Sequence, residues 1–295
     1  MCLWNIRCKT EETFNRSLFL HKKQILFPSN NKKIFPLHHI FNTFTGYNQI
    51  NKANGSDIMA YANTFKRREM KFLLDEEQYG RVSAAIADFM TEDEFGLHTI
   101  QNIYLDNRNN DLIRSSLGKP VYKEKVRLRC YGNAASDDSE AFLEIKKKYR
   151  GLTYKRRLEG RYKELHDYIL NGTPPERRGQ VFEELDYLIG RMSLKPKIVI
   201  CYDREAFYGN DDREFRVTFD GNIRFRRDKL DLRCGDGGER LLSQPFRVME
   251  VKSVGAIPLQ LVRVLSENKI YHGAFSKYGS IYSAEVRQRF LNVGA

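Results

Sequence analysis

No stretch of this chain approaches the ~20 apolar residues that a bilayer-spanning helix needs, and no basic segment followed by an apolar one opens it. Membrane-span and signal-peptide readings are therefore excluded at the sequence level. Cysteine is scarce and scattered: Cys2, Cys8, Cys130, Cys201 and Cys234 form no CxxC pair and no ligand-spaced cluster. A disulfide framework and a zinc site fall away, and free thiols in a reducing cytosol are expected. Six histidines (His21, His38, His39, His98, His166, His272) show no metal-ligand spacing. The Gly-rich GDGGER at 235–240 lacks the Lys-Ser/Thr and the strand–helix context of a phosphate loop, and reads as a turn. Internal repeats are also absent. What remains is a soluble, cytoplasmic protein of one or two domains.

The 295 residues are 41% hydrophobic and carry a net charge of +12. The first figure allows a sizeable core; the second suits an anionic partner without choosing one. Residues 1–58 stand apart. They show neither a two-residue nor a 3.6-residue period and hold eight Lys or Arg against three Asp or Glu, so removing them lowers +12 by five to +7. They read as a disordered or mis-assigned extension, with a basic tethering arm as the alternative. Residues 59–295 read as the folded domain.

Within that domain, five segments alternate charged and apolar residues: KRREMKF (66–72), KVRLRCY (125–131), LEIKKKY (143–149), EFRVTFD (214–220) and RVMEVKS (247–253). Alternate side chains of a strand point to opposite faces. Arg67, Glu69 and Lys71 thus share a face, as do Lys125, Arg127 and Arg129; Glu144, Lys146 and Lys148; Arg216, Thr218 and Asp220; and Glu250 with Lys252. Their apolar neighbours take the other face. One sheet surface is then lined with cations and a few carboxylates, which suits a polyanion held with a divalent metal. Interleaved Leu143 and Ile145 favour core packing over base stacking, which argues against nucleic acid as the partner.

Further strands are expected near 98–106, 152–158, 197–208 and 222–227. Helices are expected after Asp75 as N-cap, over 162–193 with a break at 171–179, and over 258–267 with Pro258 in its first turn. Antiparallel strands with a few amphipathic helices make an α+β domain. So many arginines suit an interior better than a solvated sheet, so the expected architecture is a closed antiparallel β-barrel, its helices packed outside and its charges turned into a tunnel. Asp220 reads as a turn residue before Gly221–Asn222, Asp203 and Arg204 as a structural pair, and Tyr202 as a packing residue.

The motifs Arg67-x-Glu69-x-Lys71, Lys125-x-Arg127-x-Arg129, LEIKKKY, YDREAF (202–207), Arg216-x-Thr218-x-Asp220, MEVK (249–252) and SKY (276–278) occur in one order. Together, over about residues 62–290, they resemble the VTC domain of polyphosphate polymerases, within the triphosphate tunnel metalloenzymes. Arg67, where other branches resemble E-x-E-x-K, is similar to the polymerase branch. The resemblance implies ATP and polyphosphate as partners, Mn²⁺ or Mg²⁺ as cofactor, and transfer of the γ-phosphoryl of ATP to a growing chain. It implies that Lys71, Arg127, Arg129, Lys146, Lys148, Arg216, Arg226, Lys252, Ser276 and Lys277 bind phosphate. Of these, Lys277, Arg127, Arg129 and Lys71 lie nearest the transfer, with Glu250, then Glu69 and Glu144, as metal ligands. A triphosphatase of the same fold and a non-catalytic polyphosphate- or nucleic-acid-binding module are the alternatives.

Overall fold

A computed structural model describes residues 68–118, 120–150, 152–242 and 245–293. The segment 1–58 and Arg67 lie outside the described residues. Ten strands build one antiparallel sheet: β1 (Arg68–Leu74), β2 (Met90–Glu92), β3 (His98–Asp106), β4 (Tyr122–Tyr131), β5 (Glu140–Tyr149), β6 (Leu152–Arg161), β7 (Lys195–Gly209), β8 (Arg216–Arg226), β9 (Glu239–Arg240) and β10 (Arg247–Ser253). Six helices join them: α1 (Glu76–Ile86), α2 (Asp111–Leu117), α3 (Tyr162–Asn171), α4 (Gln180–Met192), α5 (Leu259–Glu267) and α6 (Lys277–Val293). None of the described helices is long and apolar enough to cross a membrane.

Local chemistry explains most boundaries. Asp75 caps α1 through a reciprocal box with Gln78, each side chain accepting from the other's backbone N–H. α3 ends at Gly172, whose φ of 80° lets its N–H reach the Tyr168 carbonyl. The turn expected at Gly221–Asn222 is instead a bulge inside one continuous strand. Cys201 pairs with Arg224 and Asp203 with Gly221, so two steps along β7 match three along β8. Asn222 absorbs the extra residue at a φ of 45°.

The sheet runs β1-β10-β8-β7-β3-β4-β5-β6, with β2 on β7 and β9 on β8. The expected closed barrel is not formed: among the described residues β1 and β6 share no ladder. One cause is visible at β1. Its free edge is already taken by the segment before α6, where His272 bridges Phe72 and the Gly273 N–H donates to the Lys71 carbonyl. β6 presents Lys155, Arg156 and Arg157 in succession, the sort of charge that protects an open edge.

The sheet nonetheless curls into a trough. Glu69 of β1 and Lys146 of β5, with five strands between them in the sheet order, meet at 3.0 Å. On the convex face, α3 and α4 cover Ile103, Val126, Leu128, Leu143 and Ile145, while α1 and α5 cover Phe72, Met249, Val251, Val217 and Phe219. These apolar faces, set by the two-residue period, leave the water together and provide the main drive for the fold. Not every helix lies outside, as was expected. Ile113 of α2 and Tyr278 and Ile281 of α6 pack with Tyr104, Ile198, Ile200, Tyr202 and Val248, residues of the concave face. That apolar layer floors one end of the trough.

Candidate functional site: a cationic trough

Alternation along each strand puts the charges on the concave face, and the curl then brings distant strands together. Three groups result, each built around carboxylates. In the first, Glu144 on β5 accepts from Arg127 Nε at 2.7 Å and lies 2.5 Å from Lys155 Nζ on β6 and 3.8 Å from Arg129 Nε. Glu144 is 2% exposed, so burial alone would raise its pKa; the two guanidinium groups and Lys155 outweigh this and hold it far below the carboxylate range. Arg129 is itself fixed by donating to Asn102 Oδ1 and the Tyr202 hydroxyl.

The second group joins β7, β8 and α6. Asp220 accepts both donors of the Arg204 fork, at 2.6 and 2.9 Å, and Lys277 Nζ lies 2.5 Å away. Asp220 is fully buried, and against that burial Arg204 and Lys277 keep its carboxyl ionised well below the usual range. It is therefore no turn residue. Nor do Asp203 and Arg204 form a pair: strand neighbours point to opposite faces, so Asp203 reaches Arg224 on the convex side. Tyr202 is more than packing. Its hydroxyl accepts from Arg129, and Lys277 Nζ sits 4.0 Å from its ring centroid, so the phenol links the first two groups.

The third group lies across the mouth of the curl. Lys71 Nζ is 3.4 Å from Glu69 and 3.3 Å from Glu250, Lys252 is 2.7 Å from Glu250, and Lys146 ties Glu69 to β5. Burial and the nearby Glu250 push the Glu69 carboxyl up, yet Lys146 and Lys71 keep it low; Lys252 and Lys71 do the same for Glu250 against its burial. Lys252 feels burial most, and its pKa falls.

Most of the sequence-derived set thus shares one surface. Lys71, Arg127, Arg129, Lys146, Lys252, Ser276, Lys277, Glu69, Glu144 and Glu250 line it in contact with one another or one step apart. Lys148 and Arg216 lie on the same face at its exposed rim. Arg226 is not brought in. The β8 bulge reverses the alternation beyond Asn222, so Arg226 faces the convex side and donates to the carbonyls of Lys229, Gly237 and Asp231. Of the three carboxylates read as metal ligands, Glu69 and Glu250 lie together; Glu144 is a separate centre whose oxygens are taken by Arg127 and Lys155.

Several residues of the trough had no phosphate or metal role in the sequence reading. Lys125 was placed on the cationic face only, Arg204 was read as half of a structural pair, and Lys155 was hidden because it sits in no segment of repeated alternating charge. Lys125 donates to Ser276 Oγ at 2.9 Å, and burial, with Lys71, Lys146 and Lys123 around it, brings its pKa down to about 8. Tyr104 takes the opposite charge cue: despite burial, Arg127 and Lys125 lower its phenol to about 8. α6 itself was missed because Gly279 and β-branched Ile281 weaken its helical pattern. Ser276 was the available signal, since its Oγ caps the Gly279 N–H as an N-cap serine does.

Among the described residues, groups of three or more His, Cys, Asp or Glu that could surround a metal are absent. Glu69 and Glu250 still fit a hard cation. They are two carboxylates close enough to raise each other's proton affinity, and Mg²⁺-like ions commonly take one or two carboxylates, filling the remaining positions from phosphate and water.

Known proteins resemble this chain. The chain is 24% identical over 190 residues to vacuolar transporter chaperone complex subunit 4 of Schizosaccharomyces pombe, covering 56% of this chain and 26% of that protein. It is 27% identical over 150 residues to subunit 2 of the same complex, covering 44% of this chain and 20% of that one. The chain thus spans about a quarter of the length of the curated relatives it matches. Among solved structures, a proposed adenylate cyclase of Bacillus halodurans aligns with a TM-score of 0.47 at 12% identity, over 72% of this chain and 95% of that one. A mimivirus capping-enzyme triphosphatase aligns at 0.30 and 11% identity, over 78% and 93%. The VTC domain matches residues 66–285, and with three quarters of the chain inside that match, this protein belongs to the VTC domain family.

Proposed function

We propose that the trough holds a string of phosphates and that the protein is an ATP-dependent polyphosphate polymerase. One observation carries this reading: cations from β1, β4, β5, β6, β7, β10 and α6 converge on one surface with few carboxylates among them. A triphosphate carries about four negative charges, and fixed cations already in place need no reorganisation to receive it. Arg127 and Arg129 offer planar forks for bidentate phosphate contacts, whereas Lys71, Lys146, Lys252 and Lys277 act as point charges. Held in line, a terminal oxygen of the growing chain forms a bond to Pγ of ATP as the bond from Pγ to the β,γ-bridging oxygen breaks. ADP leaves with the electron pair and the chain gains one phosphoryl group. The attacking oxygen is already anionic, so no base is required; alignment and charge stabilisation do the work. Glu69 and Glu250 would hold Mn²⁺ or Mg²⁺, which supplies further neutralisation of charge on the phosphate oxygens.

The test is direct. Purified protein incubated with ATP and Mn²⁺ is expected to release ADP and lengthen a phosphate chain in equal measure. Orthophosphate without polymer would identify a triphosphatase instead, and tight, chelator-insensitive anion binding without turnover would identify a binding module.

A further inference from the structure

The end of the trough away from α6 carries aromatic side chains among charged ones, with Glu159 opposite Phe142 on the neighbouring strand. Phe95 lies 6.0 Å from His98, His98 lies 6.1 Å from Tyr131 and Tyr131 lies 6.0 Å from Phe142, measured between ring centroids. Arg157 stacks over Phe142 at 4.6 Å. The row belongs to the concave face. His98 pairs with Arg204, Tyr131 lies two residues beyond Arg129, and Phe142 lies two residues before Glu144. Its inner end, Phe142, is buried, but Tyr131 is 45% exposed and Phe95 is 68% exposed. Single exposed rings need no explanation; a continuous row of them joined to a cationic trough does.

We infer that this row is a shelf on which the purine base of the nucleoside triphosphate stacks while its phosphates lie in the trough, an inference that rests on the phosphate-binding reading above. Charge and reach select this occupant. Residues two apart on a strand are separated by about 7 Å, so a ligand seated on Tyr131 has its anionic end beside Arg129. The His98 Nδ1 donates to the Gly96 carbonyl at 2.8 Å, which fixes the ring's orientation in the row. Rings of this kind stack on any base and favour the larger purine surface. The same geometry explains how a trough that reads only phosphates could still prefer a nucleotide as donor.

Calorimetric titration of the full chain with the β,γ-imido analogue of ATP and with inorganic tripolyphosphate tests this. Phe95→Ala and Tyr131→Ala should each weaken nucleotide binding by about tenfold and leave tripolyphosphate affinity unchanged; Tyr131→Phe, which keeps the ring, should retain wild-type values. Equal losses for both ligands, or no loss for either, would overturn the shelf while leaving the trough intact. Failure of the unaltered protein to bind either ligand would overturn the trough reading and the shelf with it.

Discussion

The carboxylates of the trough fall into two kinds. Glu144 and Asp220 are 2% and 1% exposed in their side chains, and each is ringed by cations. Glu69 and Glu250 are 24% and 12% exposed, share Lys71, and sit close enough to oppose each other's ionisation. The first kind organises the cations: without it Arg127, Arg129, Arg204 and Lys277 would repel one another and splay. The second kind keeps oxygen lone pairs accessible beside the cations and can accept a metal. One acidic residue type thus serves as scaffold in one half of the trough and as a candidate ligand in the other.

The largest expected effect comes from the accessible half. Glu250→Ala should lower polymer formation by at least about 100-fold and leave the cooperative unfolding transition in place, because Lys71 keeps Glu69 and Lys252 keeps contact with solvent. Steady-state rates with unchanged circular dichroism would verify this; wild-type turnover would remove Glu250 from the site. The buried half should respond in stability. Glu144→Gln removes the shared partner of a desolvated cation cluster and should destabilise the fold by about 3 kcal/mol in denaturant titrations. Tripolyphosphate should restore more stability to this variant than to the parent, since the ligand can replace the lost anion.

Acid should weaken the fold as well. Both Glu144 and Asp220 have folded pKa values below their unfolded ones near 4. Their contribution is complete above that range and is lost as pH falls through it toward the folded values, so unfolding midpoints should fall below about pH 4. Glu144→Gln should flatten that fall. The smallest effect lies at the alkaline end. Lys125 and Lys155 have pKa values near 8, lowered chiefly by burial. Above that pH they lose charge, and tripolyphosphate affinity should decline several-fold between about pH 8 and 9.5. Lys125→Arg, charged throughout, should reduce the decline.

Much of the trough was legible in the sequence because a two-residue period is a local property: Lys71, Arg127, Arg129, Glu144, Lys146, Glu250 and Lys252 share a face once their strands exist. Strand pairing and curl are not local. The bulge at Asn222, which sends Arg226 to the convex side, depends on how β8 meets β7. Closure failed as an expectation because the edge of β1 is used by His272 and Gly273, far along the chain, and no periodicity reports that. Asp220 was misread for a related reason: a short polar residue before Gly-Asn resembles a turn, and only the tertiary partners Arg204 and Lys277 reveal a buried ion cluster.

Acetylation of lysines followed by peptide mass spectrometry, with and without tripolyphosphate, tests whether the concave lysines grip phosphate. Lys71, Lys125, Lys146, Lys252 and Lys277 should be protected by the ligand, while Lys163, on α3 and paired with Asp167, should label equally in both samples. Equal labelling of the trough lysines in the presence and absence of tripolyphosphate would contradict the account.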